Sequence, residues 1–355
     1  MTHALAIAAT GAVTATGVGV DAASAALRAT VGGFVRTAEW RSAVTGEPLR
    51  AGVVEMLDPE MPWIERVCWL ASHAADDAFA QLGDAARRGS WHALLSLPPR
   101  RPGHDEGIGA AGQQAILREL PCRAHLVECG AVSTAHDAAI TCLDAACELL
   151  NAAAGKPTAV LILGADSWLD RSALAWLESH QRIHTTEASF GFVPAEAAAA
   201  IVFANDAWFD ANGCVPIGGA GQVSCGYEQD PWFMGRPSRH GGLTTALQGV
   251  FGERASDARA VRTWCDLNGE AWRAAEWMSA YLRSAPYHSE PLDLVHPADT
   301  FGDVGAATGA LLMALALDDL ARSRTTAPCI VWAASDISPA RAAVALYGPV
   351  SGVAA

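Results

Sequence analysis

Two segments, one in each half of the chain, do most to restrict what this sequence can fold into. Residues His136 to Ala154 are mostly apolar with a helical period, and Gly155-Lys-Pro157 stops the run. Thr158 to Gly164 then follows as an unbroken, β-rich apolar stretch. In the second half, Gly302 to Gly309 opens a small-residue helix through Leu317, and Ala327-Pro-Cys-Ile-Val-Trp-Ala333 is a second apolar strand. A helix that is apolar all round must be covered all round, and a strand without alternation is covered on both faces. Loop, buried helix and buried strand at similar spacing predict a duplicated α/β core. The turn-rich stretch Asn205 to Gly213 is the expected boundary. It divides an N-terminal half, residues 1–210, from a C-terminal half, residues 211–355, the two packing as one unit.

The remaining elements are read from local signals. Ala4 to Ala9 is a strand, Thr10 to Gly17 a glycine-bounded loop, and Asp21 the N-cap of a short helix to Ala29. Trp63, Val67, Leu70, Ala71 and Ala74 predict an amphipathic helix over 61–86, and 98–108 is a Pro/Gly/charge loop. With 355 residues, 51% of them apolar, the chain can bury a large core. A net charge of −14 without Lys/Arg runs argues against a nucleic-acid partner; Lys156 is the only lysine. The longest apolar stretch, Val304 to Leu317, is too short to span a bilayer. The first Lys or Arg is Arg28, and Gly11, Gly17 and Gly19 break the N-terminal apolar segment, unlike a signal peptide. A soluble, cytoplasmic protein is expected. Nine cysteines lie scattered with no CxxC pair, as buried small hydrophobes in a reducing compartment would.

The segment Ala131-Val-Ser-Thr-Ala-His136-Asp-Ala-Ala-Ile140 resembles the active-site segment of β-ketoacyl synthases of the thiolase superfamily. There a Thr-Ala dipeptide precedes a cysteine nucleophile at the start of a buried helix; here His136 stands in the cysteine's position. Further segments extend the resemblance over most of the chain. Ser189-Phe-Gly-Phe-Val-Pro-Ala-Glu196 is similar to the family's "DGFVxGEG", with Glu196 on its glutamate and Gly191 kept. Asp266-Leu-Asn-Gly269-Glu270 stands where "HGTGT" would, so Asp266 replaces the first catalytic histidine. Phe301-Gly302-Asp303-Val-Gly-Ala-Ala-Thr-Gly309 resembles "GHxxGAAG", so Asp303 replaces the second. The family's lysine before that motif has no counterpart. Trp332-Ala-Ala-Ser-Asp336-Ile-Ser338 stands in place of the "FGFGG" loop that gates the acyl pocket. The resemblance implies a thiolase-like fold of two βαβαβ halves in a five-layered α/β/α/β/α sandwich. It also implies a dimer pairing across the strand near Ala124 to Val132, and an acyl carrier protein or acyl-CoA as ligand.

The chemistry at those positions is altered. Condensation needs a thiolate at a helix N-terminus and two donors that hold the thioester oxygen. Here the nucleophile's position carries an imidazole, and both donors' positions carry carboxylates, which accept hydrogen bonds and repel an enolate. Condensation by the family mechanism is expected to fail. Cys129 and Cys142 lie away from the strand-to-helix turn, and His296 reads as a loop histidine. His136, Asp266 and Asp303 are expected to converge in one pocket, where two carboxylates would keep His136 protonated near neutral pH. A one-His, two-carboxylate metal site has no supporting motif spacing, and no cofactor is expected. Trp264, Trp272, Trp277 and Trp332 read mainly as core. Two functions follow as expectations. One is a non-condensing partner or adaptor subunit, for which chain-length-factor subunits, which lack the cysteine, are the precedent. The other is an acyltransferase or thioester hydrolase using His136 with Asp266 and Asp303. Gly164-Ala-Asp-Ser-Trp-Leu-Asp170, Asp266 to Glu270, and His296-Pro-Ala-Asp-Thr-Phe-Gly-Asp303 also resemble synthase-like proteins encoded beside type VI secretion genes, which implies a secretion-system partner.

Overall fold

The computed structural model describes residues 5–185, 188–252, 259–323, 325 and 327–349. The chain opens with β1 (Leu5–Thr14), the short β2 (Gly17–Val18), α1 (Val20–Ala29) and a hairpin of β3 (Phe34–Arg41) and β4 (Pro48–Gly52). Next come α2 (Trp63–Leu82), β5 (Ser90–Ser96), α3 (Gly109–Glu119), β6 (Leu126–Val132) and α4 (Ala138–Ala152). They are followed by β7 (Thr158–Ser167), α5 (Arg171–Ser179), β8 (Glu196–Ala204), α6 (Asp206–Asn212) and β9 (Gly218–Ala220). The rest comprises β10 (Ser224–Tyr227), α7 (Gly241–Phe251), β11 (Thr263–Cys265), α8 (Ala271–Ser284), β12 (Leu294–Val295), α9 (Ala298–Phe301), α10 (Thr308–Ser323), β13 (Cys329–Ala334) and β14 (Ala340–Tyr347).

The duplication read from the sequence appears in the strand order. The first half runs β6-β5-β7-β8-β1, and the second runs β12-β11-β13-β14-β10. In both, the first three strands pair in parallel and the last two antiparallel. The short β9 pairs with both β1 and β14 and joins the halves into one sheet.

Alternation along the buried strands explains the layers. On β7, Val160 and Ile162 face the central helices α4 and α10, while Leu161 and Leu163 face α2. On β13, Val331 and Ala333 face the same central core, while Ile330 and Trp332 face α7 and α8. The stack is therefore helix, sheet, helix, sheet, helix, and a strand covered on both faces has no place for polar side chains. Among the described residues no helix is long and apolar enough to cross a membrane.

Several local expectations are corrected. Thr10 to Thr14 is not a loop but the second half of β1, paired with β8 through Ile201 to Ala198 and, at Val13 and Thr14, with β2, because sheet pairing outweighs the glycine. Gly11 has a packing reason: a side chain there would strike the α2 backbone at Ala74 and Ala78. Gly19, not Asp21, caps α1, and Asp21 sits in its first turn. The polar stretch 205–213 folds as α6, since Asn205 accepts the Trp208 N–H and Gly213 closes the helix in the left-handed region. Helix 61–86 is regular only over α2 and continues as a 3₁₀ turn to Arg87. Trp332 belongs to β13 rather than to the gating loop and stacks on Trp277.

Candidate functional site

The site forms where the two central helices begin. Each is preceded by a 3₁₀ turn, Ala135–Asp137 before α4 and Gly305–Ala307 before α10. The turn carrying His136 is entered through Ala135 at φ 73°, a left-handed conformation that costs energy for any residue with a Cβ. It aims the imidazole into the core, where it is 1% exposed.

His136 Nε2 lies 2.9 and 3.0 Å from the two Asp303 oxygens. Its Nδ1 lies 3.5 Å from Asp336 Oδ1, an ion-pair contact rather than a formed hydrogen bond. Burial works against the charged imidazole, but the Asp303 and Asp336 carboxylates outweigh it and raise its pKa to about 10. His136 is therefore an imidazolium at neutral pH. Against the opposing effect of burial, His136 holds the Asp303 carboxyl below the usual carboxylate range, and Arg182 first, then His136, does the same for Asp336. Asp303 Oδ1 also accepts from Trp168 Nε1 and the Gly305 N–H, each at 2.9 Å, and Oδ2 accepts from Asn268 Nδ2 at 2.6 Å.

Asp266 lines the same cavity but is not a partner of His136. It pairs with Arg273 on α8 and accepts the Ala334 N–H at 2.6 Å. The expected trio therefore lines one cavity, with Asp303 bonded to His136 and Asp266 held instead by the buried Arg273, while Asp336, which the sequence did not point to, is the second carboxylate beside the imidazole. Sequence reasoning also missed Arg182, which binds Glu270 through two nitrogens at 2.7 and 3.1 Å and reaches Asp336 at 2.9 Å. Arg182, Glu270 and Asp336 come from the 180–192 segment, the loop after β11 and the loop after β13. Their ion pairs tie those three segments together, and Asp336 links them to His136. An acidic motif in a core position was the available signal, since buried carboxylates require cations.

The cavity bounded by His136, Asp266, Asn268, Phe301 and Asp303 measures about 20 Å³, room for about one water. Cys142 is buried in α4 with its thiol pushed up to about 12, and Cys129 is exposed on β6; neither faces this cavity. His296 pairs with Asp299 at 2.9 Å on a separate cleft. Among the described residues, no group of three or more His, Cys, Asp or Glu side chains is arranged to hold a metal.

Beneath the site, Glu196 takes Arg66 at 2.9 and 3.0 Å, the Ser167 hydroxyl at 2.9 Å and the Val54 N–H at 3.0 Å. Asp166 takes Arg101 at 2.8 Å and the Ala306 N–H at 2.9 Å. A side chain at Gly305 would run into the Asp166 carboxylate, and its φ of 52° suits glycine.

No protein-family model and no curated protein matches the chain. Solved structures do. A β-ketoacyl synthase from Burkholderia phymatum has a TM-score of 0.70 at 17% identity, over 99% of this chain and 100% of that one. The ishigamide ketosynthase/chain length factor has a TM-score of 0.67 at 17% identity, over 98% and 100%. The oxazolomycin ketosynthase domain of Streptomyces albus has a TM-score of 0.76 at 13% identity, over 99% and 75%. What this chain shares with them is the thiolase-like ketosynthase fold.

Proposed function

We propose that this protein is a ketosynthase-fold subunit that has lost condensing chemistry and acts as a partner or adaptor. One observation carries the reading. At the position the resemblance gives to the nucleophile stands a buried imidazolium held by Asp303 and Asp336. A condensing site needs negative charge at the helix N-terminus and positive or neutral donors facing it. Both signs are reversed here, and a cavity of about 20 Å³ leaves no room for an acyl chain. The alternative, an acyltransferase or thioester hydrolase with His136 as base, is disfavoured by the same facts: a base must be neutral, and Asp266 is engaged by Arg273.

In this reading residues 1–210 and 211–355 act as one cytoplasmic unit that pairs with another chain. Support for pairing is β6, the last strand of its sheet, exposed along its middle. Such an edge is a template for a second strand, from a copy of this chain or from a related subunit. An acyl carrier protein is the partner of one similar ketosynthase structure, and a secretion-system protein is the partner the sequence resemblance implies.

Intact mass spectrometry after incubation with an acyl thioester or an epoxide inhibitor tests the proposal. No adduct is expected. An adduct mapped to the pocket sinks the non-condensing reading, and thioester hydrolysis abolished by His136→Ala establishes the alternative.

A further inference from the structure

The outermost helix of the second half buries Trp277 and Ala280 in the core but also hides two charges and exposes two large apolar side chains. On α8, Arg273 is 1% and Glu276 2% exposed, whereas Met278 is 56% and Leu282 72% exposed. Surface helices normally bury the apolar stripe and expose the charges. Here the charged residues are drawn inward by Asp266 and Arg341. Ala271, Ala274, Ala275, Met278 and Leu282 are left facing solvent, spaced so that they form one stripe. From Ala271 to Leu282 this stripe runs roughly 16 Å, about three turns.

A second segment lies alongside it. Trp232 stacks on Trp272 in the first turn of α8, with ring centroids 5.7 Å apart. Near the last turn, Arg283 donates to the Arg239 and His240 carbonyls at 3.2 and 2.9 Å. Residues 232–240 therefore run along the helix, presenting exposed Phe233 and Met234 near one end and exposed Arg236 and Arg239 toward the other. Among the described residues, Arg239 and Arg283 have no carboxylate partner, and Arg236 has only a loose one, Asp230 at 3.8 Å. Three under-neutralised arginines beside an uncharged stripe stand out in a chain of net charge −14.

We propose that this face docks an amphipathic helix of three to four turns on a partner protein. The partner's apolar side would cover the α8 stripe, and its acidic residues would meet Arg236, Arg239 and Arg283. The charge argues for an acidic protein helix over a second copy of this chain, which would have to bring its own stripe and the same arginines. The inference rests on the adaptor reading, to which it adds a surface and a partner chemistry.

The test uses the full chain and a fluorescent, helix-stapled peptide with leucines at i, i+4, i+7 and i+11 and glutamates flanking them. Fluorescence anisotropy is expected to show saturable binding that weakens several-fold from low to physiological salt. Binding should fall about tenfold or more in Met278→Glu/Leu282→Glu, and several-fold in Arg236→Glu/Arg239→Glu. A peptide with lysines in place of the glutamates is expected not to bind. Failure of the acidic peptide to bind, equal binding of the lysine peptide, or binding indifferent to the substitutions overturns the proposal. So does a change of oligomeric state in Met278→Glu/Leu282→Glu, which would assign the stripe to a second copy. None of these results bears on acyl transfer, so the adaptor reading stands or falls separately on the mass-spectrometric test.

Discussion

The N-termini of α4 and α10 meet at the centre of the molecule and solve the same electrostatic problem in opposite ways. At α10 the first free amides find carboxylates: Gly305 N–H donates to Asp303 and Ala306 N–H to Asp166. Negative charge there is what a helix N-terminus stabilises. At α4 the adjacent group is the His136 cation, and the Asp137 carboxylate that should cap the helix makes no side-chain capping bond. One terminus is built as physics favours. The other is tolerated only because Asp303 reaches across from the first. A thiolate at position 136 would have been stabilised by α4 itself, whereas an imidazolium must borrow its stabilisation from the opposite half.

That dependence is broken most directly by Asp303→Ala. The substitution leaves His136, Trp168 Nε1, Asn268 and the Gly305 amide without their shared acceptor. Removing one partner of a buried ion pair costs about 3–5 kcal/mol, so the variant is expected to unfold at clearly lower urea concentration or not to accumulate folded. If chemical denaturation shows a loss below about 1 kcal/mol, α4 does not rely on Asp303.

The second prediction concerns pH. His136 has its pKa raised from 6.5 to about 10 in the folded state. The folded protein therefore holds that proton more tightly than the unfolded chain. The contribution is complete below pH 6.5 and is lost as pH rises toward 10. Asp303 and Asp336 act in the opposite sense, since their lowered pKa values withdraw stability as pH falls below the usual carboxylate range. Thermal melts across pH 6.5 to 10 should decline steadily in the native sequence and much less in His136→Gln. Parallel slopes in the two proteins would mean that His136 is neutral in the fold.

The architecture was legible in the sequence because burial on all sides leaves a pattern that polar neighbours cannot imitate. Val160 to Leu163 and Ile330 to Trp332 are apolar on both faces since both faces are covered, and that pattern occurs twice. The positions of His136 and Asp303 were legible because flanking small residues keep the frame around them. The partners were not. Asp336 and Arg182 are 154 residues apart and meet only through the fold, and nothing in the local spacing of Asp266 tells that Arg273 will turn inward to take it. Local rules also failed where a sheet overrode them, as at Thr10 to Thr14, or where capping rescued a polar stretch, as at Asn205 to Gly213.

The smallest expected effect isolates the α4 terminus alone. Asp137 is fully buried, and neither of its oxygens has a hydrogen-bond partner. Burial is the main cause of its raised pKa, about 7; its own backbone N–H, then His136 and Arg341, pull it down but only in part. The folded state therefore binds this proton better than the unfolded chain, and stability falls as pH rises from 3.8 to about 7. Asp137→Asn removes the ionisation and keeps the shape. It should be nearly neutral near pH 3.5, where the carboxyl is largely protonated in both folded and unfolded chains, and stabilising by about 1 kcal/mol or more at pH 8, where the wild-type carboxylate is charged in the core. Urea titrations at the two pH values read the difference. If Asp137→Asn destabilises equally at both, the carboxylate does cap α4, and the contrast between the two helix termini disappears.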